Sequence, residues 1–171
     1  MFGRIVATII LIITLALLYL APQGLLTKPI LEETVAGPIL MQTLETLDEG
    51  LAYRRIQDDG AVIDAESLAV YNDRIVDGDA TVNLVRFTTL DTTMTEFPHL
   101  AGQDSEIWPR GEFLVAKFPY RGNWSPRLGK WKVYKGLGNE ARARGLLPAP
   151  VLEIHDATAE EIRYLMPVKK Q

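Results

Sequence analysis

Glu153 stands inside the apolar run Val151-Leu152-Glu153-Ile154-His155-Asp156, and a carboxylate in that setting has two chemistries open to it. Side chains alternate across a strand, so Glu153 faces away from Leu152 and Ile154. If its face is solvent, it is a surface carboxylate. If its face is a cleft, partial desolvation equips it to attract a cation or to act as a general acid or base. The aromatics available as walls are Tyr71, Phe87, Tyr120, Trp124, Trp131, Tyr134 and Tyr164. A carboxylate with several rings is what recognition of an organic cation needs, through charge pairing and cation–π contact. Trp131 lies on a helical stripe, where a Trp is more often core than ligand wall.

Other chemistries are excluded by composition. The 171 residues include no cysteine, which removes thiolate catalysis, cysteine zinc sites and thiolate haem ligation. Only His99 and His155 are present, too few for a histidine-rich metal site. No glycine-rich phosphate loop, metal-binding helix motif or Gly-x-Ser-x-Gly elbow occurs. A net charge of -4 and a pI of about 5.2 argue against a broad basic face, so nucleic acid is not expected as a partner. Lys130, Lys132, Lys135 and Arg127 read as solvated faces, or as contacts with anionic head groups if the domain is tethered to a membrane.

The elements that must position Glu153 come in two related sets. Gly145-Leu146-Leu147-Pro148-Ala149-Pro150 leads into the Glu153 run, and about 83 residues earlier Gly60-Ala61-Val62-Ile63-Asp64 leads into Leu68-Ala69-Val70-Tyr71. In both, a charged helical segment ends at Gly, a loop follows, and an apolar run closes on Asp. A further apolar run follows each, at residues 81–87 and 162–168. The reading is α+β: duplicated β-α-β-β units in one domain, with a cleft where the halves meet.

The first unit is expected to start with a strand at residues 39–44 and a helix striped by Leu44, Leu47, Leu51 and Ile56. Residues 91–111 read as the crossover between halves, and residues 112–120 as a strand. Ser125-Pro126 signals a helix start, Leu128, Trp131, Leu137 and Ala141 give its stripe, and Gly145 suits a left-handed stop.

Residues 5–27 carry no charge, and residues 5–21 are almost wholly apolar, close to the ~20 residues that cross a bilayer. Residues 1–27 are therefore expected to be a transmembrane anchor (or signal peptide), with residues 5–21 in the lipid bilayer. Tyr19-Leu20-Ala21-Pro22 is a poor cleavage site, which favours the uncleaved anchor. Residues 28–38, rich in Pro and Gly, read as a tether, and residues 39–171 as the domain. Arg4 precedes the span and Lys28 follows it; on the positive-inside tendency the expectation is a single-pass inner-membrane protein with a periplasmic domain.

Phe113-Leu114-Val115-Ala116-Lys117-Phe118-Pro119-Tyr120-Arg121-Gly122, the Trp131 helix, Pro150-Val151-Leu152-Glu153-Ile154-His155-Asp156 and Ile162-Arg163-Tyr164-Leu165-Met166-Pro167-Val168-Lys169 together resemble the second half of a GyrI-like small-molecule-binding domain. That is the effector-binding domain of many bacterial transcription activators, related to the SOUL haem-binding fold. The resemblance covers residues 113–169 and, more faintly, 37–90. It implies a curved antiparallel sheet with two helices and a ligand cleft on the pseudo-twofold axis. Family members bind varied organic molecules, often cationic or aromatic. The implied ligand-binding residues are Glu153, Tyr71, Trp131, Tyr134, Tyr164 and Tyr120, with no cofactor. Two alternatives follow from the same resemblance. One is a hydrolase of small electrophiles, with Glu153 activating water and Tyr71 or Tyr164 supplying a proton. The other is haem binding through His155. The chain departs from the family in having a membrane leader and no helix-turn-helix segment, so direct DNA contact is not expected.

Overall fold

The computed structural model describes residues 2–59, 67–72, 81–89, 105–147 and 149–169. An apolar helix α1 (Phe2–Leu20) and a π-helical turn (Ala21–Leu25) precede β1 (Ile30–Ala36), β2 (Ile39–Asp48), α2 (Glu49–Asp59), β3 (Ser67–Asn72) and β4 (Thr81–Thr89). Then come β5 (Ser105–Trp108), β6 (Gly111–Pro119), α3 (Ser125–Ala143), β7 (Val151–Asp156) and β8 (Glu161–Pro167). The strands make one antiparallel eight-stranded sheet in the order β1-β6-β8-β7-β3-β4-β2-β5. The class is α+β, and β2-α2-β3-β4 and β6-α3-β7-β8 are the two expected units. They meet at the central β3/β7 pair, from which the order runs β8-β6 on one side and β4-β2 on the other.

The strands that lead into the two units are exchanged between them. β1 precedes the first unit and pairs with β6 of the second; β5 precedes the second and pairs with β2 of the first. The ladders Ile30↔Lys117 to Ala36↔Gly111 and Ile39↔Trp108 to Gln42↔Ser105 continue in one register across Gly37-Pro38 and Pro109-Arg110. Gly37 has φ +86, and a Cβ there would lie 3.1 Å from the Pro109 carbonyl oxygen, so the two bends cross in contact. One ribbon thus joins both ends of the sheet. Residues 28–38 were expected as a tether; instead most of them are a ladder strand, because Ile30-Leu31 and Val35-Ala36 flank a stretch with no breaker until Gly37. The expected crossover contains β5. His99 and the Gly60 loop lie outside the described residues.

Both helices pack on one face of the sheet, α2 on β2, β3 and β4, and α3 on β6 and β8. α2 starts five residues later than the expected Leu44 stripe. β2 runs on to Asp48 through an irregularity at Thr43/Glu45, with Leu47 opposite Val82, and the Asp48 carboxylate accepts the Gly50 N–H at 2.8 Å. Its buried stripe is Ala52, Tyr53 and Ile56, while Leu51 is exposed. α3 buries Ser125, Gly129, Val133, Leu137 and Ala141, a four-residue repeat that turns Trp131 outward. Gly145 has φ +66, and Leu146 N–H reaches back to Ala141 O at 2.9 Å, the expected left-handed stop. The opposite sheet face is apolar, with Met41, Val85, Phe87, Trp108, Phe113, Leu152 and Leu165.

The chain leaves α1 through a built joint. Gln23 is buried, its Oε1 accepts the Trp124 N–H at 3.0 Å, and its carbonyl accepts the Ser125 hydroxyl at 3.1 Å. Ser125 therefore binds the exit segment and does not cap α3, as its position had suggested. The Lys132 ammonium donates to the carbonyls of Gly24 (3.1 Å), Thr27 (2.8 Å) and Leu25, at the carbonyl end of the helix, where a cation is favoured. Gly24 has φ +105, and a Cβ there would fall 2.4 Å from the Phe118 ring. No other residue type fits.

Candidate ligand-binding site

Glu153 lies on the helix face of β7, and its cross-strand neighbours are Val70 on β3 and Tyr164 on β8. Val151 and His155 share that face; Leu152 and Ile154 face the other core, as strand alternation requires. The side chain is fully buried. Two helices supply its hydrogen bonds: the Tyr134 hydroxyl of α3 donates to Oε1 at 2.5 Å and the Tyr53 hydroxyl of α2 to Oε2 at 3.2 Å. Each donor comes from a different half of the duplication. Among the described residues no Lys or Arg is paired with Glu153.

Tyr164 and His155 complete the cluster. The Tyr164 hydroxyl is buried and finds no partner among the described residues. It rests against the α3 backbone, where a Cβ on Gly129 would come within 2.2 Å of it. The Tyr134 and Tyr164 rings meet edge-on at 6.1 Å. The His155 ring sits between Tyr53 and Tyr120, 5.4 Å from each centroid, with Nε2 3.7 Å from Glu153 Oε2, beyond hydrogen-bond range. Neither ring nitrogen has a hydrogen-bond partner among the described residues.

The electrostatics of the three inner phenols follow from this arrangement. Burial pushes the Tyr53, Tyr134 and Tyr164 hydroxyls well above the usual tyrosine range, and the Glu153 charge pushes them further. A hydrogen bond with Asn72 works the other way at Tyr134. Burial also raises Tyr120, opposed by a hydrogen bond with Gln57. Tyr53 and Tyr134 therefore remain donors to the carboxylate. Lys130 pairs with Glu49 at 2.5 Å and lies 5.6 Å from the Tyr134 ring centroid, so a half-buried ion pair bridges α3 and α2 beside the cluster.

Of the residues singled out in the sequence, Glu153, Tyr134 and Tyr164 are brought together, with Tyr120 one ring away across His155. Tyr71 is not with them. It lies on the other sheet face, where its hydroxyl and the Trp108 indole both donate to Glu106, at 2.8 and 2.9 Å. Trp131 is 65% exposed on the outer side of α3. Sequence reasoning missed Tyr53, Asn72 and Gly129. Tyr53 carried a signal, an aromatic one residue after Ala52 on the apolar stripe of α2. Haem does not fit at His155: the side chain is fully buried, with the Tyr53 and Tyr120 rings each 5.4 Å from it, and no ring nitrogen is exposed.

No protein-family model and no curated protein matches the chain. Several solved structures do. A Staphylococcus aureus MU50 protein, described as a provisional bacterial transcription regulation protein, is 16% identical, covering 83% of this chain and 98% of its own, with a TM-score of 0.47. SAV2435, solved bound to tetraphenylphosphonium, is 15% identical over 84% of this chain and 94% of its own, with a TM-score of 0.49. The C-terminal domain of EcmrR is 11% identical over 85% and 99%, with a TM-score of 0.45. At these values the likeness is partial even in the course of the backbone, and it transfers neither ligand nor partner to this chain.

Proposed function

We propose that the chain is a membrane-anchored binding protein for small organic cations, with Glu153 as the charge that selects them. The observation that carries this is a fully buried carboxylate held by phenols from both halves of the domain, with no Lys or Arg paired to it among the described residues. A buried negative charge balanced only by neutral donors is costly. An aromatic cation placed among Tyr53, Tyr120, Tyr134 and Tyr164 would supply the missing countercharge and stack on the rings. The resemblance to GyrI-like domains implies the same ligand class. Binding to the intact protein of paired cationic and neutral aromatic compounds, before and after Glu153→Gln, tests it. The cation alone is expected to lose about 1–3 kcal/mol. Equal losses for both compounds, or none, would remove Glu153 from the site.

The membrane part of the reading rests on α1, one helix long and apolar enough to span a bilayer. The proposed orientation puts the domain in the periplasm. A reporter fused after Gln171 that is active only outside the cytoplasm should be active. Activity of a cytoplasmic reporter instead would reverse the orientation.

A further inference from the structure

We infer that the outer face of α3 is a second membrane contact, seated in the lipid headgroup layer next to the point where α1 leaves the bilayer. The inference rests on the reading of α1 as a membrane span, and everything else in it comes from the joint and from the face itself.

The joint fixes the depth of α3. About 20 apolar residues fill the hydrocarbon, so a span over residues 3–22 leaves residues 23–27 at the headgroups. Those are the residues that α3 grips: Trp124 N–H and the Ser125 hydroxyl bind Gln23, and two turns later Lys132 binds the carbonyls of Gly24, Leu25 and Thr27. The gripped segment is compact, closed by a Thr27 N–H to Gly24 O bond of 3.0 Å. Both ends of this ~12 Å stretch of helix therefore lie beside the same tight turn, and its first two turns share the depth of the chain exit.

The face presented there has headgroup-layer chemistry. Trp124, Arg127, Trp131 and Lys135 recur on one side of α3 and all are exposed, opposite the buried Gly129-Val133-Leu137 side. Trp124 is 45% and Trp131 65% exposed, and the Arg127 guanidinium lies 5.4 Å from the Trp124 ring centroid. Beside them Leu26 is 78% exposed. Two tryptophans and a leucine leave apolar surface in water, with two cations among them. At a bilayer interface the indoles gain from their amphipathic rings and the cations from anionic headgroups. A lipid surface is the occupant because the anchor brings one there, whereas a protein partner would have to displace it.

The chain has no cysteine, so single cysteines carrying a nitroxide report depth in the full-length protein in phosphatidylglycerol-containing nanodiscs. The probes are Ile12→Cys in the span, Asn123→Cys and Trp131→Cys on the proposed face, and Glu112→Cys at the far end of β6. Accessibility to oxygen over a water-soluble nickel complex should be high at 12, intermediate at 123 and 131, and low at 112. If 12 is in lipid while 123 and 131 match 112, the face is not a membrane contact and a soluble partner is the better reading of its tryptophans. If 12 itself is in water, the anchor reading fails with it.

Discussion

The Tyr53 and Tyr134 phenols share the buried Glu153 carboxylate, the Tyr164 ring lies beside them, and the ionisation of all three links the cluster to stability. Burial first, and then the Glu153 charge, raise all three in the folded protein. Below the ordinary tyrosine value of about 10, phenols are neutral in both folded and unfolded chains and make no pH-dependent difference. Above it the unfolded chain gives up its protons while the folded one keeps them, so the folded state is the more protonated and stability falls with rising pH. Each such tyrosine contributes a slope of about 1.4 kcal/mol per pH unit over that window. Urea midpoints followed from about pH 9 to about pH 11.5 should fall, and Tyr53→Phe should flatten the slope by one group's share. An unchanged slope would mean that Tyr53 ionises as it does in the unfolded chain. At this scale the sequence was only partly legible. The alternation of β7 was enough to turn Glu153 away from Leu152 and Ile154. Which rings meet it depends on where two helices from different halves cross the β3/β7 seam, and strand periodicity carries no information about that. Hence Tyr53 was missed and Tyr71, on the opposite face, was included.

α3 links the joint, the carboxylate and the exposed tryptophans, and its internal phase decides which residue serves which. A four-residue repeat of small and apolar groups, Ser125, Gly129, Val133, Leu137 and Ala141, sets the buried side. Of the expected stripe, Leu137 and Ala141 are buried and Leu128 packs against that core, whereas Trp131 faces out; the reading weighted large apolar residues and ignored Gly129 and Ser125, which are buried because a side chain or a chain segment sits against them. Gly129 is the position where this matters most. Gly129→Ala adds a methyl where the Tyr164 hydroxyl already lies, and overpacking of a closed core costs about 1–3 kcal/mol, against a helix-propensity gain of about 1. Net destabilisation is expected. Tyr164→Phe removes the hydroxyl, relieving both the clash and a buried donor without a partner among the described residues, and should itself be neutral or stabilising. In the Tyr164→Phe background, Gly129→Ala should therefore cost less than in the native chain. Thermal unfolding of the four proteins gives the cycle, and additive effects would show that the two groups do not press on each other.

On the scale of the whole molecule, the two units were legible, because each repeats its own pattern of apolar runs and loops, and the antiparallel sheet was implied by the family resemblance; the pairing of β3 with β7 was not foreseen. Nor was the exchange of β1 and β5. A strand that joins the far half of its own chain leaves no local signature, and residues 28–38 carried enough Pro and Gly to pass for a tether. The exchange has a consequence for where the domain begins. A chain that starts at Ile39 lacks β1 and so removes seven ladder pairs from β6, from Ile30↔Lys117 to Ala36↔Gly111. It also removes Glu33, which pairs with Arg144 beyond the end of α3, and it takes away the exit segment that Ser125 and Lys132 hold. β6 would then be the open edge strand of the sheet, with unpaired N–H and C=O groups along an apolar strand, a template for pairing with another copy. A chain that starts at Gln23 keeps the ladder and the joint while dropping the membrane span. The Gln23 start is expected to remain monomeric and to protect the β6 amides from hydrogen exchange; the Ile39 start is expected to associate and to lose that protection. Gel filtration and amide exchange compare the two directly. If the Ile39 start is monomeric and equally protected, the β1–β6 ladder is dispensable and residues 28–38 are a tether after all.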